Sequence, residues 1–289
     1  MHVQIVNVVP ADRLMQGFER YRTPRWQMVP KNGDRYIILR DGVGLSLSVT
    51  IPGLVTISEV NLNATPSKGR QPTRTNDRII KIHGNTKGNT VLQAKNAAGA
   101  VVVKLELGIK DKKTTNVTFN FVKDNAGHKT TRVLSATAQL VATLNYVYNG
   151  QANIEIKQKA SRWVTIAQNL GQVVRFSSHL PGVPAAQHEW SIVTASGDPT
   201  ADMNIFFVWE YEQDATPLVD NTDAGTSAAN CIFEDNAGVQ LGESVAHEIG
   251  HFLGCGDHYI LARKRELMYG YTDTRGIHIP KQDVNIMNP

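Results

Sequence analysis

The chain has 289 residues, 41% of them hydrophobic and 19% charged, with a formal net charge of +4. That length leaves room for two cores, and the absence of low-complexity tracts and of apolar runs of spanning length excludes fibrous, disordered and membrane-spanning classes. Charge is uneven: residues 1–114 carry 18 Lys and Arg against 8 Asp and Glu, or +10, and the remainder 12 against 18, or −6. Such a split points to two units with different surfaces. No nucleic-acid motif accompanies the basic half, so its cations read as solvated strand faces and no nucleic-acid partner is expected. Residues 1–10 show no basic start leading into a long apolar run, so export by a route without a cleaved signal peptide is the expectation. Cys231 and Cys255 are too few for a disulfide framework. One bridge and two free buried thiols are both compatible with the count.

In chain order, residues 1–33 read as an N-terminal extension. Residues 18–26 interleave aromatic and basic side chains, as a segment packed on a following domain would. From Asp34 the pattern is β. Runs at 35–40, 45–51, 78–83, 90–94 and 100–107 are short and β-branched, separated by Gly, Asn and Pro turns, and predict a β-sandwich over 34–112. His83 sits alone in one of these strands and reads as structural. The polar segment 108–116 carries the domain boundary.

The second domain, 113–289, opens with an alternating strand at 117–122. A helix over about 132–148 follows from the three- and four-residue spacing of Leu134, Ala138, Val141, Leu144 and Tyr148, and then a strand at 153–156. Strand, helix and strand in that order predict a parallel pair. Residues 161–200 read as loop-rich, with His179 and His188 as isolated histidines, and 203–210 as a buried strand. Residues 213–229 read as a solvated polar loop, because Asp214, Asp220 and Asp223 lack calcium-loop spacing. A short strand at 230–235 precedes the stretch that carries the chemistry, and 279–287 reads as a closing helix.

That stretch is 242–258. Read as a helix, it stacks His247 and His251 on one face, four residues apart. Two imidazoles from consecutive turns bind one Zn2+, and Glu248 beside them can act as general base on a water at the open position. Val245, Ile249, Phe252 and Leu253 form the apolar face. Gly254 offers the left-handed residue that ends the helix and turns the chain back, bringing Asp257 and His258 in as candidate third ligands.

His247-Glu248-x-x-His251-x-x-Gly254-x-x-Asp257 resembles the extended zinc motif of the metzincin metallopeptidases. Asp257 stands where most metzincins carry His, as in the snapalysin family, where His and Tyr follow as in Asp257-His258-Tyr259. Glu266-Leu267-Met268-Tyr269-Gly270 resembles the Met-turn. The resemblance implies an α/β (α+β) zincin domain with a twisted mixed sheet and an active-site helix. It implies zinc on His247, His251 and Asp257, with His258 the alternative third ligand, Glu248 as general base and Met268 beneath the metal. It favours Tyr259, ahead of Tyr269 and Tyr271, as a donor to the developing oxyanion, and makes 230–235 the antiparallel edge that aligns a peptide.

Residues 89–103 are similar to the last hairpin of bacterial immunoglobulin-like domains, which implies an all-β immunoglobulin-like sandwich used as spacer, adhesive unit or docking module. The expectation is therefore a monomeric zinc endopeptidase acting on protein or peptide substrates. A secreted bacterial protease, toxin or effector, with an export or docking partner for its N-terminal domain, fits this outline. The rival is an adhesion or binding protein whose zinc is structural, marked by a fourth protein ligand.

Overall fold

The computed structural model describes residues 7–11, 17–61, 73–176, 188–213, 224–235, 241–271 and 276–289. The chain is rich in β-structure and divides into two compact units. The first gathers Met1–Lys113, Gly150–Ile154 and Ile279–Pro289, the second Thr114–Asn149 and Glu155–His278.

Two sheets build the first unit. One is antiparallel throughout, in the order β1 (Asn7–Pro10), β4 (Asp34–Arg40), β7 (Arg78–Gly84), β6 (Val55–Val60). The other runs β2 (Phe18–Glu19), β3 (Arg25–Pro30), β9 (Val101–Lys110), β8 (Gly88–Lys95), β5 (Ser46–Val49), with β3 and β9 parallel and the other pairs antiparallel. Their apolar residues meet in one core, Ile37, Leu39 and Ile80 from the first sheet against Val29, Leu105 and Leu107 from the second. Alternating β-branched residues suit a pleated surface with one buried face.

Asn7–Pro10, Phe18–Glu19 and Arg25–Pro30, expected within an extension, are three strands of this sandwich. They are short, and each takes its ladder from a longer partner that only the folded chain brings near. Helix α4 (Lys281–Met287), expected within the second domain, also clusters with the first unit. Lys113 Nζ donates to the Met287 carbonyl at 2.9 Å, and Asn288 Nδ2 to the carbonyls of Asp111 and Ala152 at 2.9 and 2.8 Å. Lys281 pairs with Glu106 at 2.8 Å.

The second unit centres on a sheet in the order β11 (Ile154–Ile166), β10 (Lys113–Asp124), β13 (Met203–Phe207), β16 (Asn230–Phe233), β15 (Ala224–Ser227). β10, β13 and β16 are mutually parallel, and β15 closes the sheet antiparallel to β16. Helix α1 (Thr137–Ala152) connects β10 to β11. Phe119 stacks on Phe207 at a centroid separation of 6.5 Å, and Phe207 meets Phe233 tilted at 6.2 Å, across neighbouring strands. A small parallel pair, β12 (Val174–Arg175) with β14 (Tyr211–Glu212), and helix α2 (Glu189–Thr194) complete the described elements up to helix α3 (Leu241–Phe252). The Tyr148 hydroxyl, buried on α1, donates to the Ala246 carbonyl of α3 at 2.5 Å.

Two expectations change here. The stretch at 230–235 is an interior parallel strand, and the antiparallel edge is β15, inside what reads as a polar loop. Its sequence, Ala-Gly-Thr-Ser, carries little strand signal of its own. The carboxylates Asp214, Asp220 and Asp223 lie outside the described residues, as does His179; His188 directly precedes α2. Among the described residues no helix is long and apolar enough to cross a membrane.

Asp124, at the end of β10, shows how a buried acid is accommodated. Its Oδ1 accepts the N–H groups of Ala126 and His128 at 2.9 Å each. Its Oδ2 accepts His128 Nδ1 at 2.8 Å and the Leu170 N–H at 3.1 Å. Burial pushes this carboxyl up, but the bonds from His128 and Leu170 outweigh it and hold the pKa below the usual carboxylate range.

A folded-state pKa below the unfolded value of about 3.9 stabilises fully above that value, and the contribution is lost as pH falls from there through the lower folded-state pKa. Asp124→Ala is expected to cost about 3 kcal/mol in urea unfolding at pH 7. The gap from wild type should narrow as pH falls below about 3.9. Deleting residues 279–289 should lower the urea midpoint of the first unit, read from Trp26 fluorescence, because it strips the partners of Lys113, Asp111 and Glu106. An unchanged midpoint would show that α4 adds nothing to this unit.

Candidate metal centre

Helix α3 buries Val245, Ala246 and Ile249 and turns Glu248 and His251 toward partial exposure. It stops at Gly254, which has φ +100°. The Cys255 N–H bonds back to the Gly250 carbonyl at 3.0 Å and the Gly254 N–H to that of His251 at 2.9 Å. This pair of bonds is a Schellman closure, which needs a residue at ease in the left-handed region.

The turn sets up the site. His247 Nδ1 lies 2.8 Å from the Leu267 carbonyl oxygen, and His251 Nδ1 lies 2.9 Å from that of Cys255. A carbonyl only accepts, so each Nδ1 carries a proton, and in the neutral ring each Nε2 then presents its lone pair. The two Nε2 atoms stand 3.1 Å apart. Asp257 Oδ1 is 3.0 Å from the first and 3.5 Å from the second. Two acceptor nitrogens and a carboxylate oxygen gain nothing from one another at such distances. They fit around a cation: bonds of about 2.0–2.1 Å to a tetrahedral zinc would put ligand atoms about 3.3 Å apart.

The remaining expected residues surround this trio. Glu248 offers a carboxylate oxygen within 4.8 Å of the histidine nitrogens, and its Oε2 accepts the Thr226 hydroxyl at 2.6 Å. His258 turns instead to Glu266, Nε2 to Oε2 3.1 Å. Burial, then the Arg263 charge, depresses its pKa despite Glu266. Its main-chain N–H bonds to the Met268 carbonyl at 3.0 Å. Met268 is fully buried, and the neighbouring Leu267 carbonyl is the one that orients His247. Tyr259 is exposed, its ring 5.3 Å from that of Tyr271. The charge of Asp257, then burial, raises its pKa, and its hydroxyl is hydrogen-bonded to Asp257. Cys231 and Cys255 are both buried and unbonded to each other.

The structure thus brings together His247, His251, Asp257 and Glu248, and directs His258 elsewhere. Thr226 and the carbonyls of Leu267 and Cys255 escape a reading of the sequence. A threonine among small polar residues gives no signal, and every residue has a carbonyl.

No protein-family model and no curated protein matches the chain. Fifteen chains of solved structures are similar to parts of it. The crystal structure of the S-layer protein rSbsC(31-844) is 11% identical over 40% of this chain, with a TM-score of 0.24. The solution structure of amebosin is 20% identical over 29% of this chain and 88% of its own length, with a TM-score of 0.19. The titin domains Z1Z2 in complex with telethonin are 16% identical over 42% of this chain and 59% of theirs, with a TM-score of 0.18. This chain spans 14% of the first S-layer chain and 45% of a second. Likenesses this slight carry no functional argument.

Asp257→Ala is expected to weaken zinc binding by about 100-fold or more, measured by chelator competition, and His258→Ala by less than about tenfold. The reverse ranking would move the third ligand to His258.

Proposed function

We propose that the chain is a zinc-dependent endopeptidase of metzincin type joined to an immunoglobulin-like module. The observation that carries this reading is the convergence of His247 Nε2, His251 Nε2 and Asp257 Oδ1 within 3.5 Å of one another, with Glu248 beside them. The His251 and Asp257 side chains are 25% and 32% exposed against 4% for His247, so the trio opens to solvent on one side. An open side supports catalysis over a structural site, whose ligands close around the metal.

The folds support both halves of the proposal. The order β1-β4-β7-β6 corresponds to strands A-B-E-D of an immunoglobulin sandwich, and β5-β8-β9 to C-F-G. In the second unit β15, in place of the expected 230–235 stretch, is the antiparallel edge strand, and it lies against the helix that carries the histidines. We read the sandwich as the docking module of a secreted bacterial protease or effector.

His247, His251 and Asp257 hold the zinc, which when bound supplies a Lewis acid and lowers the pKa of a water to about 7. With the metal in place, Glu248 would serve as general base and then general acid, using the carboxylate oxygen that Thr226 leaves free. β15, last in its sheet, offers its outer N–H and C=O groups to an extended peptide as one more strand. Tyr259 stands beside the trio with its hydroxyl bonded to Asp257, and would act as a donor to the oxyanion only by giving up that bond.

Glu248→Ala should lower peptide hydrolysis about 100- to 10,000-fold while zinc stays near one per chain. His247→Ala should lose zinc and activity together. If Glu248→Ala loses zinc as fully as His247→Ala, Glu248 is a ligand and the structural-zinc binding protein replaces the peptidase.

A further inference from the structure

Glu248 follows His247 in sequence, and a carboxylate oxygen stands within 4.8 Å of a ring nitrogen of each of His247 and His251. A side-chain rotation would bring it to the cation as a fourth protein ligand and close the position that a catalytic site keeps open. The restraint comes from a different element. Thr226 of β15 donates its hydroxyl to Glu248 Oε2 at 2.6 Å, the length of a charge-assisted bond.

The register of β15 is fixed beside it. Thr226 faces Cys231 of β16, and Ser227 faces Asn230. At Gly225 a Cβ would stand 2.1 Å from the hydroxyl of Tyr211, a fully buried ring whose O–H is itself committed to Gln213 Oε1 at 2.7 Å. Only glycine fits against that hydroxyl, so the strand cannot slip by one residue in either direction. Thr226 is therefore delivered to Glu248 by packing, and the threonine side chain has a reason to be there that strand formation alone does not supply.

We propose that Thr226 is a positioning residue that holds Glu248 out of the ligand set and keeps the metal site open. The proposal rests on the zinc-peptidase reading of the same site. Binding Oε2 leaves Oε1 as the oxygen that receives the proton, and it fixes the carboxylate at the distance of a base. Thr226 touches no reacting atom.

The test uses the full chain carrying Thr226→Val, which keeps β-branching and loses the hydroxyl, or Thr226→Ser, which keeps the hydroxyl. Co2+ serves as the probe, followed by its visible absorption and its affinity. Thr226→Val should bind Co2+ about tenfold more tightly and shift the absorption bands as a carboxylate joins the ligands. Adding Glu248→Ala to that variant should reverse both changes. On a peptide that the wild type cleaves, kcat should fall at least about tenfold with KM unchanged, and Thr226→Ser should restore it. Wild-type Co2+ affinity and spectrum in Thr226→Val would overturn the proposal, and so would a serine variant that behaves like the valine one. Failure of the peptidase reading shows separately, as wild-type protein without Glu248-dependent hydrolysis, while the Co2+ measurements still decide the role of Thr226.

Discussion

Two main-chain carbonyls, those of Leu267 and Cys255, hold the protons of His247 and His251 on Nδ1 and so turn both Nε2 lone pairs toward one point. The rest of the site follows from reaching them. The chain has to return to α3 twice: at Gly254, which brings Cys255 and then Asp257 into place, and again at Leu267. The two returns are tied together where the His258 N–H meets the Met268 carbonyl and the Gly270 N–H meets the His258 carbonyl. The second return is anchored in turn by the Leu267 N–H on the His278 carbonyl. A carbonyl cannot be altered by substitution, so the requirement falls on backbone path, and buried Met268 packs within that path.

The other organising feature is the edge strand. β15 ends its sheet, packs on α3 and carries the hydroxyl bound to Glu248. In the proposed function one short strand both aligns the peptide and steadies the base. That economy explains why so brief an element, four residues without an apolar run, is locked by a close approach to a buried tyrosine.

The parts of this arrangement legible in the sequence are the local ones. His247 and His251 share a helix face by period alone, and Gly254 marks the turn, so Asp257 is within a few residues of where it acts. β4, β7, β8 and β9 announce themselves by β-branched alternation. Elements defined by distant partners were hidden. β1 to β3 are strands because β4 and β9 complete them, and β15 because β16 does. Helix α1 starts at Thr137, later than its apolar period suggests, because the Arg132 guanidinium reaches the carbonyls of Glu234 and Asp235 at 2.8 Å and the Thr131 N–H reaches Asp235. Leu134 fits the period but falls in a 3-10 turn ahead of the helix. His258 is ambiguous in the sequence because its partner Glu266, itself paired with Arg263, lies further along the chain.

The first unit is assembled from three separated stretches of chain, with α4 among them. During synthesis its described strands are made before the second unit, yet α4 and Asn288, which meet Lys113 and the Asp111 carbonyl, are made only after residues 242–258. Contacts of such long sequence separation close slowly. The bonds of Lys113 and the Asp111 carbonyl to residues 287 and 288 can therefore form only after the second unit, His247, His251 and Asp257 included, has been made.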